Sequence, residues 1–434
     1  MNTYSSYKES GVEWMGEIPS GWKVERIKYV FSKREEKSST GEEELLSVTI
    51  HEGIVPRREY IKEDDHISRS SSLVGYKICY KDDLVNNIMK MGFRCLGISD
   101  YDGIVSPGYS VFHFSDKKNI PKYWNYLLRT DLYVTEYKKR SKGIQESRMR
   151  LYDDYFVDIY TLIPTIQEQQ QISNYLDHKT QHIDSLIEKT QQKIELLKEQ
   201  RTSLINQVVT KGLNPDVEMK DSGVEWIGKI PREWKKTKIG YYSDLVRGSG
   251  YQFLEQVDES FEGRKERVIR ISDFSEFDPM FCKYEEQFEN YRIRKNDILI
   301  GGTGHYFGKS IISSDDMFGM IHSYNIIRLV VKKIYPKYCF FYLNSQFIRE
   351  LMDLSVTGSG QPFLDFERIN NLIILIPPFK EQQQIVDYLD TETTKIDSTI
   401  EKETQRIDLL KEYRQSLISN VVTGKVDIRD EVLV

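Results

Sequence analysis

The chain of 434 residues contains an internal repeat with a period of about 213 residues. A segment that starts at Ile163, IPTIQEQQQISNYLDHKTQHIDSLIEKTQQKIELLKEQRTSLINQVVT, returns at Ile376 as IPPFKEQQQIVDYLDTETTKIDSTIEKETQRIDLLKEYRQSLISNVVT, with about thirty of 48 positions identical. A shorter pair, SGVEWMGEIP from Ser10 and SGVEWIGKIP from Ser222, precedes the long segments; we call these the opening motifs. A fixed period indicates equivalent structural units. The chain therefore has two halves, each with an opening motif, a variable block of about 130 residues and a constant segment.

Apolar residues in both constant segments step alternately by three and four, which is the spacing of a coiled-coil seam. The predicted seam residues are Leu176, Ile183, Ile187, Ile194, Leu197 and Leu204 in the first copy, and Leu389, Ile396, Ile400, Ile407, Leu410 and Leu417 in the second. Thr165 and Glu168 form a capping box before the first helix, and Gly212 and Gly424 follow the helix ends. Because a long helix with one apolar seam needs a partner, we expect the two copies to pair antiparallel.

Polar residues interrupt this seam at matching positions, Arg201 with Arg414 and Thr190 with Glu403. The two helices could simply pack less tightly at these positions. Alternatively, one arginine could meet Glu403 across the pair and fix its register, since polar seam residues exchange stability for specificity.

The variable blocks contain short apolar runs broken by Gly, Asn, Asp and Pro, a pattern typical of strands, with a few short helices between them. They resemble each other only faintly, for example in YKDDLV from Tyr80 and RKNDIL from Arg294. We predict an α+β fold: two mixed α/β domains separated by two long helices that form an antiparallel coiled coil, with an internal pseudo-two-fold repeat. The predicted segments are 1–162, 163–212, 213–375 and 376–434.

Composition excludes several classes of protein. The net charge is −6 and charged residues make up 29%, as in ordinary globular proteins. No apolar run approaches the ~18 residues of a membrane span, and the N-terminus lacks the pattern of a signal peptide, so we expect a cytoplasmic protein. The four cysteines are far apart and are expected to be buried thiols rather than disulfides or metal ligands.

No catalytic motif is recognisable. The segment ILIGGTGHYFGKS, from Ile298, resembles a phosphate-binding loop, but Thr303 occupies the place of its first glycine. A Gly-rich loop that lets the backbone approach a ligand closely is the better interpretation. Ile376-Pro377-Pro378-Phe379 has the prolines of an N6-adenine methyltransferase signature but lacks its polar residue. We therefore predict a chain without an active site, metal or cofactor of its own.

The chain resembles the specificity subunits of Type I restriction–modification enzymes over nearly its whole length. The resemblance rests on the opening motifs, on GIVSPGY from Gly103, on Gly-Ser-Gly-Gln from Gly358, and above all on IPxxxEQQQI before both long helices. It implies two target-recognition domains that read the two parts of a split, asymmetric sequence in double-stranded DNA. It also implies two docked methyltransferase subunits, which hold S-adenosylmethionine and flip adenine out of the duplex, and two restriction (motor–nuclease) subunits in a complete complex.

DNA contacts are expected from polar and basic loops, since Arg and Lys suit guanine and phosphate, while Asn and Gln suit adenine. The basic run of residues 137–150 carries six basic residues against Glu146 alone. The predicted DNA-binding residues are Asn86, Asn87, Lys90, Arg94, Lys138, Lys139, Arg140, Lys142, Gln145 and Arg148 in the first block, and Thr303, His305, Tyr306, Lys309, Ser359 and Gln361 in the second.

Methyltransferase docking is expected on the outer faces of the helices, where Leu186 and Leu196 lie off the seam. Trp14 and Trp226 of the opening motifs either contribute to that surface or only pack the start of their own domain. Two other functions stay open: a coiled-coil scaffold, and a stand-alone DNA-binding protein without catalytic partners.

Overall fold

The computed structural model describes residues 2–60, 72–143, 149–250, 254–274, 278, 280–353 and 364–431. The chain divides into two compact units. Unit 1 comprises Met1–Thr190 and Gln405–Val434, and unit 2 comprises Gln191–Thr404. Each unit therefore combines one variable block with parts of both constant segments. The four segment boundaries predicted from the sequence stay a prediction.

The elements of unit 1 before its long helix are short. They are β1 (Tyr7–Glu9), β2 (Glu17–Pro19), β3 (Lys23–Arg26), β4 (Phe31–Arg34), β5 (Leu46–Val48), β6 (Ile54–Pro56), α1 (Arg57–Tyr60), β7 (Lys77–Cys79), β8 (Leu84–Asn87), β9 (Leu96–Ile98), β10 (Gly103–Val105), β11 (Tyr109–Phe114), α2 (Pro121–Leu128), α3 (Asp131–Arg140), α4 (Asp153–Val157) and β12 (Tyr160–Ile163). The helix α5 (Ile166–Lys211) follows and continues into unit 2.

An antiparallel sheet in the order β4-β11-β8-β9 is central to unit 1. Side chains alternate across it. Leu84 and Phe112 pack into the main core with Trp124, while Val85 and Val111 pack into a smaller core on the other face. The strand β3 pairs with β12 immediately before α5, so the segment after the opening motif is fixed at the start of the long helix.

Unit 2 repeats this plan with different residues. Its elements are β13 (Met219–Asp221), β14 (Lys229–Pro231), β15 (Lys235–Lys238), β16 (Ser243–Arg247), β17 (Gln256–Val257), β18 (Lys265–Ile269), β19 (Met280–Lys283), β20 (Ile298–Gly301), β21 (Ser310–Ile312), β22 (Ile321–His322), β23 (Ile326–Val331), α6 (Pro336–Leu343), α7 (Gln346–Asp353), α8 (Phe366–Asn371), β24 (Ile373–Ile376) and α9 (Phe379–Val422), which continues into unit 1. The sheet β16-β23-β20-β21 corresponds to β4-β11-β8-β9, and β15 pairs with β24 as β3 pairs with β12. Unit 2 also contains a second four-stranded sheet, in the order β17-β19-β18-β22.

The faint sequence echo between the variable blocks marks the same turn in both units. Asp82 and Asn296 have positive φ angles of 69° and 66°, a conformation that Asn and Asp tolerate better than most residues. The next residue in each unit, Asp83 or Asp297, is buried. Its carboxylate accepts a hydrogen bond from the backbone amide three residues earlier, at 2.9 Å from Tyr80 and 2.8 Å from Arg294. The side chain therefore closes its own turn.

The two buried aspartates are neutralised from different strands. Arg34 of β4 binds Asp83 through two hydrogen bonds of 2.7 and 2.9 Å. In unit 2 the partner of Asp297 is Arg328 of β23, at 2.8 Å. A buried carboxylate needs a cation nearby, and the two units supply it from strands that are not equivalent: β4 at the edge of the sheet in unit 1, and β23, the counterpart of β11, in unit 2.

The prediction of a long helix in each constant segment is confirmed by α5 and α9. The hydroxyl of Thr165 donates to Glu168 at 2.9 Å and accepts from its backbone amide at 3.2 Å, which is the predicted capping box. Gly212 and Gly424 both have φ of 75°, the left-handed conformation expected after a helix end.

The helices run antiparallel within each unit, and their predicted seam residues are all buried or half-buried. In unit 1, Arg414 binds Asp184 at 2.9 Å. In unit 2, Arg201 binds Asp397 at 2.8 Å and Lys193 binds Glu403 at 2.5 Å. The hypothesis that Arg201 or Arg414 meets Glu403 is therefore wrong, because each arginine pairs with an aspartate instead.

Each unit buries the end of the helix that belongs to the other repeat. Leu417 and Val421 of α9 lie in the main core of unit 1, and Val208 and Val209 of α5 lie in that of unit 2. A side chain on Gly424 would collide with Pro19 at 2.5 Å. The helix ends and the opening segments are thus packed directly against each other.

A buried tryptophan after each opening motif is bonded to the first turn of a long helix. The indole of Trp22 donates to Glu168 at 3.2 Å, and that of Trp234 donates to Glu381 at 3.1 Å. This contact repeats in both units and explains why the opening segment and the helix start recur together in the sequence.

The cysteines Cys79, Cys95, Cys282 and Cys339 are buried free thiols, as predicted. Burial raises the pKa of Cys282 to about 11 and that of Cys79 and Cys339 to about 12, which keeps these thiols protonated. Within the described residues, no helix combines the length and the hydropathy needed to cross a membrane.

Candidate nucleic-acid interface

Two segments of unit 1 that are distant in sequence meet after β8 and after α3. We call residues 88–94 the strand loop and residues 141–150 the helix loop. Lys138, at the end of α3, lies with its Nζ 5.5 Å from the ring centroid of Phe93 in the strand loop. A side chain on Gly92 would lie only 2.9 Å from Cγ of Lys138, so glycine allows this close packing. The two basic segments predicted to bind DNA are therefore neighbours.

The base of the helix loop is closed by backbone hydrogen bonds. Lys142 and Arg150 exchange two bonds of 2.9 Å. The amide of Leu151 then donates to the carbonyl of Ile88 at 2.9 Å, which attaches the helix loop to the strand loop. The predicted residues Gln145 and Arg148 lie outside the described residues.

The bond that attaches the helix loop to the strand loop has a counterpart in unit 2. The amide of Leu364 donates to the carbonyl of Gly302 at 2.9 Å, in the place of the Leu151–Ile88 bond. Residues 302–309 are thus the strand loop of unit 2, whereas residues 354–363, between α7 and Leu364, lie outside the described residues. The Gly-rich segment that resembles a phosphate loop is the structural counterpart of NNIMKMGFR in unit 1, although only Phe307 and Phe93 match between the two sequences.

The glycines of that segment have a structural cause. A side chain on Gly301 would lie 2.1 Å from the carbonyl oxygen of Tyr306, and Gly308 has a φ of 67°. The loop folds back so tightly that its backbone needs glycine at both positions. The segment is therefore a tight turn between β20 and β21.

The structure sorts the predicted DNA-binding residues by exposure. Lys90, Lys138, Lys139 and Lys142 are exposed; Arg94, Arg140, Thr303, Tyr306 and Lys309 are half-buried; Asn86 and Asn87 are buried. Ser359 and Gln361, like the side chain of His305, lie outside the described residues. The exposed lysines surround the junction of the two loops of unit 1.

Both predicted asparagines are buried and therefore have no role at the surface. Asn86 has no exposed surface, and among the described residues neither atom of its amide has a hydrogen-bond partner. The Oδ1 atom of Asn87 accepts the amide of Met89 at 3.1 Å and shapes the strand loop. The prediction of base contacts for Asn86 and Asn87 is corrected, because both side chains are enclosed by the fold.

The basic residues differ in how they are neutralised. Arg94 binds Asp131, and Arg140 binds Glu136 at 2.7 Å. Lys142 lies 4.3 Å from the ring centroid of Tyr155. Lys90 and Lys139 have no ion-pair partner within the described part of the chain, so their charge is available to an anion.

Arg129 was not predicted and has an unusual environment. Its guanidinium donates to the backbone carbonyls of Ile50, His51 and Leu96, at 2.9 and 2.8 Å for the first two. Burial lowers the pKa of Arg129 to about 10, so it stays charged at neutral pH. This cation fixes residues 50 and 51 beside the strand at the end of the strand loop. Only the tertiary structure brings these groups together.

Arg247, the last residue of β16 in unit 2, was also not predicted. Its guanidinium lies 5.2 Å from the ring centroid of Tyr324 and 5.3 Å from that of Phe366. It also donates to the carbonyl of Leu364 at 2.8 Å. Leu364 is bonded to Gly302 in the strand loop of unit 2, so Arg247 supports this attachment directly.

Other basic clusters of unit 2 serve its own fold. Arg292 binds Glu266 at 2.9 Å and Glu289 at 2.7 Å, and these bonds raise the pKa of Arg292 well above its usual value. Arg270 binds Asp278 at 2.7 Å. The charges of GRKERVIR and YRIRK are largely neutralised locally, which distinguishes them from Lys90 and Lys139.

Comparison of this chain with known proteins consistently finds Type I restriction enzyme specificity subunits. The family model described as the Type I restriction modification DNA specificity domain matches residues 231–412. The MjaVIII specificity subunit of a Type I restriction enzyme from Methanocaldococcus jannaschii is 22% identical, with 98% of each chain covered. The resemblance to specificity subunits of Type I restriction–modification enzymes is therefore confirmed. The EcoBI specificity subunit from Escherichia coli is 21% identical, over 61% of this chain and 58% of that protein.

Two solved structures share the fold of this chain. A chain solved in work on complex assembly and conformational transition of the type I R-M system superposes with a TM-score of 0.71, at 16% identity, covering 94% of this chain and 99% of that one. The HsdS subunit from Thermoanaerobacter tengcongensis gives a TM-score of 0.54 at 17% identity, with 98% and 100% covered. The predicted α+β fold class is therefore confirmed.

Proposed function

We propose that this chain is the DNA-recognition subunit of a Type I restriction–modification complex, in which each unit reads one part of a split, asymmetric DNA site. The observation that carries the proposal is the strand loop. In both units the same backbone hydrogen bond holds it, from Leu151 to Ile88 and from Leu364 to Gly302, yet only Phe93 and Phe307 match between the two strand loops. Equivalent positions with different side chains are suited to reading two different half-sites.

In unit 1, Lys90 and Lys139 are proposed to hold phosphates, because they are exposed and lack carboxylate partners among the described residues. Such contacts position a protein on DNA without reading its sequence. Base reading is assigned to the loops themselves, with Gln145 and Arg148 in unit 1, and Thr303, Lys309 and Gln361 in unit 2 as the polar side chains suited to base edges.

The chain itself is proposed to be non-catalytic. Two methyltransferase subunits, which bind S-adenosylmethionine, would dock on it, together with two restriction subunits where the system includes them. The duplication of the constant segments supports the number two, since each copy offers an equivalent docking surface. Double-stranded DNA would then be held by both units at once.

Co-expression with the methyltransferase subunit encoded beside it, in a host without DNA methylation, tests this function. Mapping N6-methyladenine across the genome should give one split, asymmetric motif. Replacing residues 302–309 by a Gly-Ser linker should abolish recognition of one half of that motif, whereas Lys283→Ala, at a residue ion-paired with Glu255, should leave the motif unchanged.

A stable co-purified complex that methylates nothing would contradict the proposal and favour a coiled-coil scaffold. Tight, sequence-specific DNA binding by the isolated chain, without association with the methyltransferase, would favour a stand-alone DNA-binding protein.

A further inference from the structure

The strand loop of unit 1 carries apolar side chains on its surface. Met89 is 44% exposed and Phe93 is 40% exposed. Of the methionines that the structure describes, Met89 alone is exposed, whereas the others are buried or half-buried. A single exposed apolar side chain needs no explanation. Two of them in one short loop that is proposed to bind DNA indicate a specific contact.

The backbone of the strand loop is fixed on both sides of Met89. The amide of Met89 donates to Oδ1 of Asn87 at 3.1 Å, and the amide of Lys90 donates to the carbonyl of Asn87 at 2.9 Å. The carbonyl of Ile88 accepts the amide of Leu151 at 2.9 Å. Because these bonds hold the loop before any ligand arrives, the backbone presents Met89 from a fixed position, which suits recognition of one group.

Positive charge surrounds the two apolar side chains. Lys90 follows Met89 directly and is exposed. Nζ of Lys138 lies 5.5 Å from the ring centroid of Phe93, so this ring supports the lysine and Met89 remains to be explained. Such a surface is complementary to a ligand that has both negative charges and apolar groups. Double-stranded DNA is such a ligand, since its phosphates lie on either side of the base edges.

The same loop of unit 2 presents a different surface. Aligned on the backbone bond that both units share, Met89 corresponds to Thr303, which is half-buried. Phe93 corresponds to Phe307, which is only 6% exposed. The apolar surface is therefore a feature of one loop and not of the shared fold. A difference of this kind is what the reading of two different half-sites requires.

The chemistry of the base edges limits what an apolar side chain can recognise there. In the major groove, guanine, adenine and cytosine present hydrogen-bond donors and acceptors, whereas thymine also presents its C5-methyl group. The thioether of methionine is a weak acceptor without a donor, so it does not satisfy the polar groups of a base. A methionine that faces base edges is therefore matched by the methyl group of a thymine.

We propose that Met89 contacts the C5-methyl group of a thymine in the half-site that unit 1 reads, and that it contributes to sequence specificity there. This inference rests on the proposed function and specifies one base that the strand loop recognises. Lys90 and Lys138 hold the neighbouring phosphates, so the loop is positioned by charge and reads by an apolar contact. The half-site of unit 1 consequently contains at least one A·T pair.

Replacement of thymine by deoxyuridine removes only the C5-methyl group and tests this contact. The half-site that survives replacement of residues 302–309 is the one read by unit 1. The full chain is assembled with the methyltransferase subunit, and binding to duplexes that carry the mapped motif is measured by fluorescence anisotropy. Each thymine of that half-site is replaced in turn. At one position, deoxyuridine should weaken binding by wild type about 4-fold, the factor expected for one buried methyl group.

Two variants of Met89 and one control distinguish a methyl contact from a general effect. Met89→Ala should bind the thymine and deoxyuridine duplexes equally, because the long apolar side chain is gone. Met89→Leu should keep the preference for thymine, since leucine is also apolar. Tyr101→Ala is the control and should keep the preference as well. Tyr101 is 39% exposed but follows β9, at the end of the β8–β9 pair away from the strand loop.

The outcomes separate this inference from the proposed function. If wild type binds the motif but no deoxyuridine weakens binding, or if Met89→Ala keeps the preference, Met89 does not read a methyl group, while the proposed function stands. A half-site without thymine would overturn the inference in the same way. If the wild-type complex binds no motif, both proposals fail. Each result is a ratio of two affinities of one protein, so a smaller folded fraction in a variant does not alter it.

Discussion

The buried ion pair between Arg328 and Asp297 allows a quantitative test, because unit 1 contains a matched pair in a more open setting. Both side chains of the Arg328–Asp297 pair are only 4% exposed. In unit 1, Asp83 is equally buried, but Arg34 is 22% exposed. The two pairs differ mainly in how far water reaches the cation.

Arg328→Met would leave the carboxylate of Asp297 buried without its cation. Removing one partner of a buried ion pair costs about 3–5 kcal/mol, because the remaining charge is neither hydrated nor paired. Arg34→Met should cost less, about 1.5–3 kcal/mol, which is typical of a hydrogen bond to a charged group that water can partly replace. The difference between the two substitutions is therefore expected to be about 2 kcal/mol.

Hydrogen exchange with mass spectrometry is the suitable assay, because a chain with two compact units need not unfold in one step. Peptides from β20 and β23 report on unit 2, and peptides from β8 and β11 report on unit 1. Arg328→Met should lower the opening free energy of the unit 2 peptides by more than Arg34→Met lowers that of the unit 1 peptides. Equal losses, or a loss below ~1 kcal/mol for Arg328→Met, would refute the reasoning.

Three further sets of substitutions test the core, the DNA interface and the starts of the long helices. Burial lowers the pKa of His322 from 6.5 to about 3. The unfolded chain therefore binds this proton more readily, and stability present above pH 6.5 should be lost as pH falls toward 3, by up to ~1.4 kcal/mol per pH unit. Urea unfolding at stepped pH should show a steeper loss of stability in wild type than in His322→Leu, where only the carboxylates with a lowered pKa, such as that of Asp427, still contribute. Replacing both Lys90 and Lys139 by Ala should weaken DNA binding by the assembled complex and reduce the salt slope of log K by about two, as measured by fluorescence anisotropy. Trp22→Phe and Trp234→Phe should each cost ~1 kcal/mol in calorimetry, through loss of one indole hydrogen bond.

Each of these has a result that would count against it. An identical pH slope in His322→Leu would assign the acid sensitivity to other groups. An unchanged salt slope in the double lysine variant would place both lysines away from the phosphates. If Trp22→Phe and Trp234→Phe left the melting temperature unchanged, the bonds to Glu168 and Glu381 would not contribute to stability.

Much of the architecture could be predicted because it is encoded locally. The seam of α5 and α9 repeats every three or four residues, and the capping box at Thr165 and the glycine at 212 involve only near neighbours in the chain. Such signals report helix length and helix ends directly. The repeat itself indicated two equivalent units before any contact was known.

The candidate interface was only partly accessible from the sequence. The basic run of residues 137–150 was recognisable from its charge, but the burial of Asn86 and Asn87 was not. The sequence shows that a residue at the end of a strand is polar. It does not show whether other elements of the fold will cover that residue. No sequence motif indicated a role for Arg129 or Arg247, since the groups they bind come from distant parts of the chain.

Periodicity and identity can be read directly from the amino-acid sequence, so the duplication, the two long helices and the two divergent blocks were predictable. The equivalence of the Gly-rich segment of unit 2 and NNIMKMGFR of unit 1 is visible only in the fold. The fold also shows that Asp83 and Asp297 bind arginines from different strands. Backbone hydrogen bonds and burial depend on chain segments that meet in space, so two loops can keep one geometry while nearly all of their side chains differ.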